Sequence, residues 1–300
     1  MLKKLNKSKT PKVSICIPAY EQTTYLRKAL DSIVKQTFSD YEVIITDDSK
    51  SKDVGELVNS YQNNKFQYIK NNPALGSPEN WNKGIQAAKG EYIKILHHDD
   101  WFTADQSLEK FVSALENNPG VNFVYCATQI CNAQNNTNRL HSSTLDQQQL
   151  LAASPYWLFC GNFIGAPSVC IYRRSINESY DTNLKWLVDV DFYIRVLKNN
   201  NFLYLDEPLV ATITGASHTL TSKCENNKHV EIYEYFYLFD KIKKELPPDI
   251  KKACLNQLKT ILKKFRITRE NEITEIIKTD TAHELRRTLF RNYLVNLIKR

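Results

Sequence analysis

Two pairs of adjacent carboxylates, Asp47-Asp48 and Asp99-Asp100, each close a short β-branched run, YEVIIT before the first and YIKIL before the second. In open parallel α/β sheets, ligands bind beyond the carboxyl ends of the strands. Two acidic pairs converging there repel each other unless a cation or hydrogen-bond donors lie between them. A hard divalent metal holding a phosphate is the economical occupant. One such pair alone is more often a helix N-cap, but two in the same position shift the balance toward a site. His97 and His98 precede the second pair. Histidines in that position more often give hydrogen bonds or packing, so neither is placed in the metal set. A third acidic group, Asp189 and Asp191, sits on a stretch of helical spacing. Asp189, Tyr193 and Val196 fall on one face and Val190, Ile194 and Leu197 on its neighbour, so the two carboxylates have different jobs. Asp191 and Arg195, four apart, read as an ordinary helix ion pair.

Strands alternating with helices must carry these residues. VSICIPAY (13–20) is a strand, and Tyr25, Leu26, Ala29, Leu30, Ile33 and Val34 follow at helical spacing. Strand 41–46, a polar helix near 52–63, strand 66–70, a short helix stopping at Gly90, strand 92–96, helix 105–117 and strand 121–126 complete the alternation. The pattern predicts an α/β fold with a mainly parallel sheet covered on both faces by helices. The polar stretch 129–149 reads as a surface excursion or hairpin, and 155–215 as a second block with a helix near 186–198 and two short strands, 202–205 and 209–214. From about Asn226 the chain turns Lys-rich and helical, with a last helix near 281–298, which predicts a C-terminal helical appendage.

Composition bounds the rest. With 300 residues, 42% of them hydrophobic, the chain can bury a full core without disulfides or metal staples. Seven scattered Cys, without a CxxC pair, suit reduced thiols in the cytoplasm. The longest apolar stretches fall short of the ~20 residues that cross a bilayer, and no export signal is expected from the N-terminus. Residues 241–300 hold sixteen Lys or Arg against seven Asp or Glu, so the net charge of +7 belongs to the tail.

The segments VSICIPAYEQTTYLRKALDSIVKQTFSDYEVIITDDS (13–49), GEYIKILHHDDWF (90–102) and VDVDFYIRVL (188–197), in this order, resemble the inverting family 2 glycosyltransferases, which have the Rossmann-like GT-A fold. The resemblance covers roughly residues 12–220. It implies a GT-A domain over 1–225, with a nucleotide-sugar-binding half at 12–126 and an acceptor-binding half at 127–225, followed by the basic helical region 226–300. By the same resemblance, Pro18, Ala19, Tyr20, Glu21 and Asp48 surround the base and ribose. Asp100 coordinates the metal, Asp99 lies nearer the ribose, and Asp189 is the catalytic base. The segment TGASHTLTSK is similar to the family loop whose His lies over the diphosphate, which points to His218. Three positions depart from the family: many relatives have an acid at His97, an Arg at Trp81 and a Glu at Val188. Either the second diphosphate anchor is lost, or Lys83 or Lys94 supplies its charge. The aromatic cluster Tyr156, Trp157, Phe159 and Phe163 reads as core.

These implications amount to a metal-dependent transferase using Mn2+ or Mg2+. It moves a sugar from a nucleoside-diphosphate donor, UDP first, to an acceptor hydroxyl with inversion. The expected acceptor is a saccharide or lipid-linked saccharide of bacterial surface polysaccharide, such as an O-antigen or core unit of lipopolysaccharide, or capsule. A nucleotidyltransferase should carry a Gly-rich basic loop after the first strand, and PAYEQTTYL has none. A processive synthase should carry membrane spans and a QxxRW motif. A scaffold that has lost activity is the remaining rival. Nucleic acid is not an expected partner. The tail carries Leu255, Leu258, Ile261, Leu262 and Phe265 among Lys251, Lys252, Lys259, Lys263 and Lys264. That pattern suits packing on the catalytic domain together with peripheral contact to an anionic membrane at the inner face.

Overall fold

The computed structural model describes residues 10–135, 137–216 and 219–290. The chain forms two compact units. The first comprises Met1–Ser143, Ile164–Tyr180 and Asn199–Ile213, and the second Thr144–Phe163, Asp181–Lys198 and Thr214–Arg300.

The first unit is built on a nine-stranded sheet. Its strands are β1 Val13–Ala19, β2 Tyr41–Asp47, β3 Phe66–Lys70, β4 Tyr92–Ile95, β5 Trp101–Phe102, β6 Val121–Asn132, β7 Asn138–His141, β8 Cys170–Arg173 and β9 Asn201–Thr214. The order is β3-β2-β1-β4-β8-β6-β9-β5, with β7 paired to β6. The four strands that open this order are parallel, as the alternation predicts, and β8 continues the sheet antiparallel from β4. The helices α1 Thr23–Val34, α2 Asp53–Ser60, α3 Glu79–Ala87 and α4 Ser107–Glu116 make the crossovers. Every residue of β1 is buried, as a strand covered on both faces requires. Helix α1 buries Leu26, Ala29, Leu30 and Ile33, while Val34, at the end of the same apolar spacing, stays exposed.

Two readings of the sequence are refined. The excursion after β6 is a hairpin, β6 with β7, as the polar composition suggests. Residues 201–214 form one strand rather than two, because Pro208 fits extended backbone and its carbonyl accepts from the Thr103 hydroxyl.

The second unit is helical, with α5 Leu145–Ala153, a 3-10 turn at Pro155–Cys160, α6 Val188–Leu197, α7 Leu220–Cys224, α8 Lys228–Ile242, α9 Pro248–Lys264, α10 Asn271–Thr274 and α11 Thr281–Glu284. Its core joins Phe159 to Tyr235 and Phe239 of α8, with ring centroids 5.6 and 6.0 Å apart. Cys254, Leu258 and Leu262 of α9 are buried as well. Each fully buried Phe or Leu contributes roughly 1.5–3 kcal/mol. Tyr156, Phe159 and Phe163 are therefore core, as their pattern suggests, whereas Trp157 of the same cluster is only half-buried. The last helix expected near 281–298 is interrupted at Leu285, and its far end lies outside the described residues.

Candidate active site

The parallel register sets Ala19 beside Asp47, so the ends of β1 and β2 arrive together. Asp47 points its carboxylate at Tyr68 Oη (2.6 Å), Lys70 Nζ (3.0 Å) and the Ser49 N–H (2.8 Å). Burial alone would raise its pKa, but these donors outweigh that and hold it below the usual range. Asp48 turns the other way and accepts from Asn71 Nδ2 (2.8 Å) and from the backbone N–H groups of Leu75 (3.0 Å) and Gly76 (2.7 Å). Gly76, at φ +80, supplies the left-handed conformation that this turn needs. Glu21 is left-handed too, at φ 58, and ties the two strand ends together. Its N–H donates to Ser49 Oγ (2.7 Å), while its carboxylate accepts from the Lys50 N–H (2.6 Å) and the Ser51 hydroxyl (3.1 Å). Tyr20, between Ala19 and Glu21, is exposed.

Strand β4 delivers the second carboxylate pair to the same end of the sheet, since Leu96 N–H donates to Cys16 O of β1 (3.0 Å) and His98 Nδ1 lies 3.1 Å from Pro18 O. His97, Asp99 and Asp100 bring one potential ligand atom each to within 4.8 Å of one another. Asp100 is buried. Burial first, then the Asp99 charge, pushes it well above the usual carboxylate range, against the Ser168 hydroxyl and the Ile213 backbone amide. Burial lowers His97 to about 4, so its ring is neutral at pH 7 and able to accept or ligate. Two carboxylates and an imidazole this close fit a divalent cation such as Mn2+ or Mg2+, whose charge would relieve the repulsion.

Two of the three departing positions, Trp81 and His97, meet at this cluster, while Val188 opens α6 in the second unit. Trp81 is buried in α3, with its ring 4.6 Å from that of His97 and 5.1 Å from that of Tyr180. Asn82 is fixed by Tyr180, donating to its carbonyl and accepting its N–H, both at 2.8 Å. Lys94 does not present a free charge. It is fully buried, donates to the carbonyls of Ser168 and Ile95, and is lowered to about 8 by burial. Lys83 is exposed on α3.

In the second unit, Asp189 is the second residue of α6. Its Oδ2 accepts from Asn162 Nδ2 (2.8 Å) and its Oδ1 from the Val190 N–H (2.8 Å). Asp189 keeps part of its surface in solvent, yet desolvation of the carboxyl, aided by the negative charge of Glu234, raises it to about 7. Asp191 is buried and neutralised by Arg195 Nε (2.9 Å) and Lys241 Nζ (2.6 Å), the ion pair the four-residue spacing predicts. Asn162 and Glu234 escaped the sequence reading, because neither lies near Asp189 in sequence. His218 lies outside the described residues. The structure thus gathers Pro18, Ala19, Tyr20, Glu21, Asp48, Asp99 and Asp100 in the first unit and places Asp189 in the second.

Known proteins resemble this arrangement. An uncharacterized glycosyltransferase of Haemophilus influenzae is 29% identical over 75% of this chain and 77% of its own length. One from Methanocaldococcus jannaschii is 27% identical over 76% and 78%. The fold is that of S. aureus TarS 1-349, solved in complex with UDP-GlcNAc (TM-score 0.62, 17% identity, 94% of this chain and 79% of that one). It is also that of the Pyrobaculum calidifontis mannosyltransferase PcManGT, solved with GDP-Man and Mn2+ (TM-score 0.58, 14% identity, 97% and 88%). The GT-A architecture expected from the sequence is therefore present, with a helical C-terminal part. Residues 14–181, more than half of the chain, match the model of Glycosyl transferase family 2, and the chain belongs to that family.

Proposed function

We propose that this glycosyltransferase uses a nucleoside-diphosphate sugar, with UDP as the carrier, and transfers the sugar to an acceptor hydroxyl with inversion. The observation that carries the reading is the carboxylate pair that follows β4, close enough with His97 to share a cation, in which Asp100 is buried and pushed up by that burial first and by the Asp99 charge second. The nucleotide sugars held by the two structural neighbours, and the Mn2+ of the second, support such a donor and metal here. In this reading Asp100 holds the metal, with Asp99 toward the ribose, and Pro18, Ala19, Tyr20, Glu21 and Asp48 frame the base and ribose. Bound there, a divalent cation would offset negative charge on the leaving diphosphate. Glu21 and Asp48 act mainly by shaping the pocket, since their carboxylates hold the loops after β2 and β3. Residues 12–126 serve the donor and 127–225 the acceptor.

Asp189 takes the proton from the acceptor hydroxyl as that oxygen attacks the anomeric carbon. A carboxyl at about 7, partly open to solvent, is well matched to that step near neutral pH. No covalent intermediate is needed when base and leaving group lie on opposite sides of the sugar. The acceptor in this reading is a saccharide or lipid-linked saccharide of bacterial surface polysaccharide. The enzyme works in the cytoplasm, at the inner face of the membrane. No helix among the described residues is long and apolar enough to cross a membrane. The direct test is isothermal calorimetry with UDP, UDP-GlcNAc and GDP-Man, each with and without Mn2+. Metal-dependent binding of a UDP species is expected, and metal-independent or absent binding of all three would refute the assignment.

A further inference from the structure

Glu234 lies midway along α8, 45 residues beyond Asp189, and it is buried. Its carboxylate accepts three consecutive backbone N–H groups: Lys185 to Oε1 at 2.8 Å, and Trp186 and Leu187 to Oε2 at 2.8 and 2.7 Å. These residues form the turn into α6, with Leu187 at its N-cap position. Leu187 has no side-chain oxygen to cap the helix. The Glu234 carboxylate instead holds the three amides that lead into α6, at the end where the helix dipole favours an anion, while the Asp189 carboxylate takes the Val190 N–H of the first turn.

We infer that Glu234 is a positioning residue for Asp189: its carboxylate fixes the turn that enters α6 and supplies the negative charge that the Asp189 carboxyl experiences. Burial raises Glu234, while the three amides and the Lys185 ammonium pull it back toward the ionised form that can use all three donors. The groups facing Asp189 are the neutral Asn162 amide, the Val190 N–H, and Glu234 and the Tyr235 phenol of α8. Further along α6, Asp191 is neutralised by Arg195 and Lys241. Glu234 is thus the neighbour whose charge makes Asp189 a stronger base. The catalytic meaning of this role rests on Asp189 being the base, but its test does not.

The test is the titration of the Asp189 carboxyl by 13C NMR in protein labelled at aspartate, with the resonance identified by its loss in Asp189→Asn. In Glu234→Gln the glutamine oxygen can still accept from two amides, while the charge is gone. The Asp189 midpoint is expected to fall by roughly one pH unit, the size of one like-charge neighbour at intermediate dielectric. UDP affinity stays at the wild-type value, and the acidic limb of kcat moves down with the carboxyl. An unchanged midpoint overturns the inference. The same coupling is read from the other side in glutamate-labelled Asp189→Asn, where the Glu234 midpoint should fall. If Glu234→Gln does not fold, this second titration decides, and an unchanged Glu234 midpoint overturns the inference. Full turnover in Asp189→Asn would instead remove the base assignment and leave the measured coupling standing.

Discussion

At the scale of single residues, two positions singled out in the sequence meet in the structure: the rings of Trp81 and His97 lie tilted at 45° with their centroids 4.6 Å apart. In the proposed reading the acidic work falls on Asp99 and Asp100. Asp100→Ala is expected to abolish Mn2+-dependent UDP binding and transfer, a loss of several kcal/mol in leaving-group stabilisation. Calorimetry showing the same UDP affinity and metal dependence as wild type would move the metal elsewhere. Asp189→Asn should leave UDP affinity intact and lower turnover at least about a hundredfold. Wild-type kcat should fall on acidification through pH 7, as the carboxyl at about 7 takes up its proton. Stability carries the opposite sign. With the folded pKa raised above the unfolded value, the folded state binds more protons between about pH 4 and 7, so Asp189 costs stability as pH rises through that window. Urea melts at pH 8 should therefore find Asp189→Asn more stable than wild type, on the order of 2 kcal/mol, and a difference that grows on acidification would contradict this.

At the scale of elements, the site depends on how closely β1 and β4 approach. Gly90 stands just before β4, where an added Cβ would lie 2.5 Å from the Ser14 backbone nitrogen and 2.7 Å from the Val13 carbonyl carbon. The close approach leaves no room for a side chain, and the obstacle is backbone, which cannot rotate away. Gly90→Ala should cost about 1–3 kcal/mol and loosen the strand that delivers Asp99 and Asp100. Denaturation midpoints would show it, together with weaker UDP binding, and an unchanged midpoint would mean that β1 and β4 shift apart freely. Helix α5 begins inside the polar stretch 129–149, whose composition suggests a surface excursion or hairpin. Thr144 and Gln147 form a reciprocal capping box, a local signal of a helix start. Its apolar residues form no buried stripe, however. Leu145 and Leu150 are exposed and Leu151 alone is buried, so periodicity gave no helix.

At the scale of the molecule, the basic C-terminal helices are more than a surface addition. They share one unit with 144–163 and 181–198, and α9 buries Ile250, Cys254, Leu258, Ile261 and Leu262 there. Lys264, one of the tail cations, is committed to Glu231 at 2.7 Å. Lys252 and Lys263 remain exposed. Near anionic headgroups each such cation gains on the order of 1 kcal/mol, which underlies the proposal of peripheral membrane contact. Reversing Lys251, Lys252 and Lys263 to Glu should abolish salt-sensitive sedimentation with phosphatidylglycerol vesicles while leaving the thermal midpoint near wild type. Wild-type protein that never sediments, or a folded variant that sediments equally, would refute membrane docking.

The sequence by itself determined the alternation of β1 to β4 with their helices, and with it the delivery of Asp47, Asp48, Asp99 and Asp100 to strand ends. Those features follow from short-range periodicity and from strand ends that a parallel sheet aligns. It also determined that Asp191 pairs with Arg195, a contact between neighbours on one helix. Only the tertiary structure decided which groups each carboxylate engages: Asp48 holds the turn at Leu75 and Gly76. Asp47 is consumed by Tyr68 and Lys70, and Lys94 by backbone carbonyls. It likewise decided that Asp189 is desolvated and that Asn162 and Glu234, 27 residues before it and 45 after it, act on its carboxyl in opposite directions. Such contacts leave no mark in local spacing, because desolvation and Coulomb forces depend on distance in space rather than along the chain.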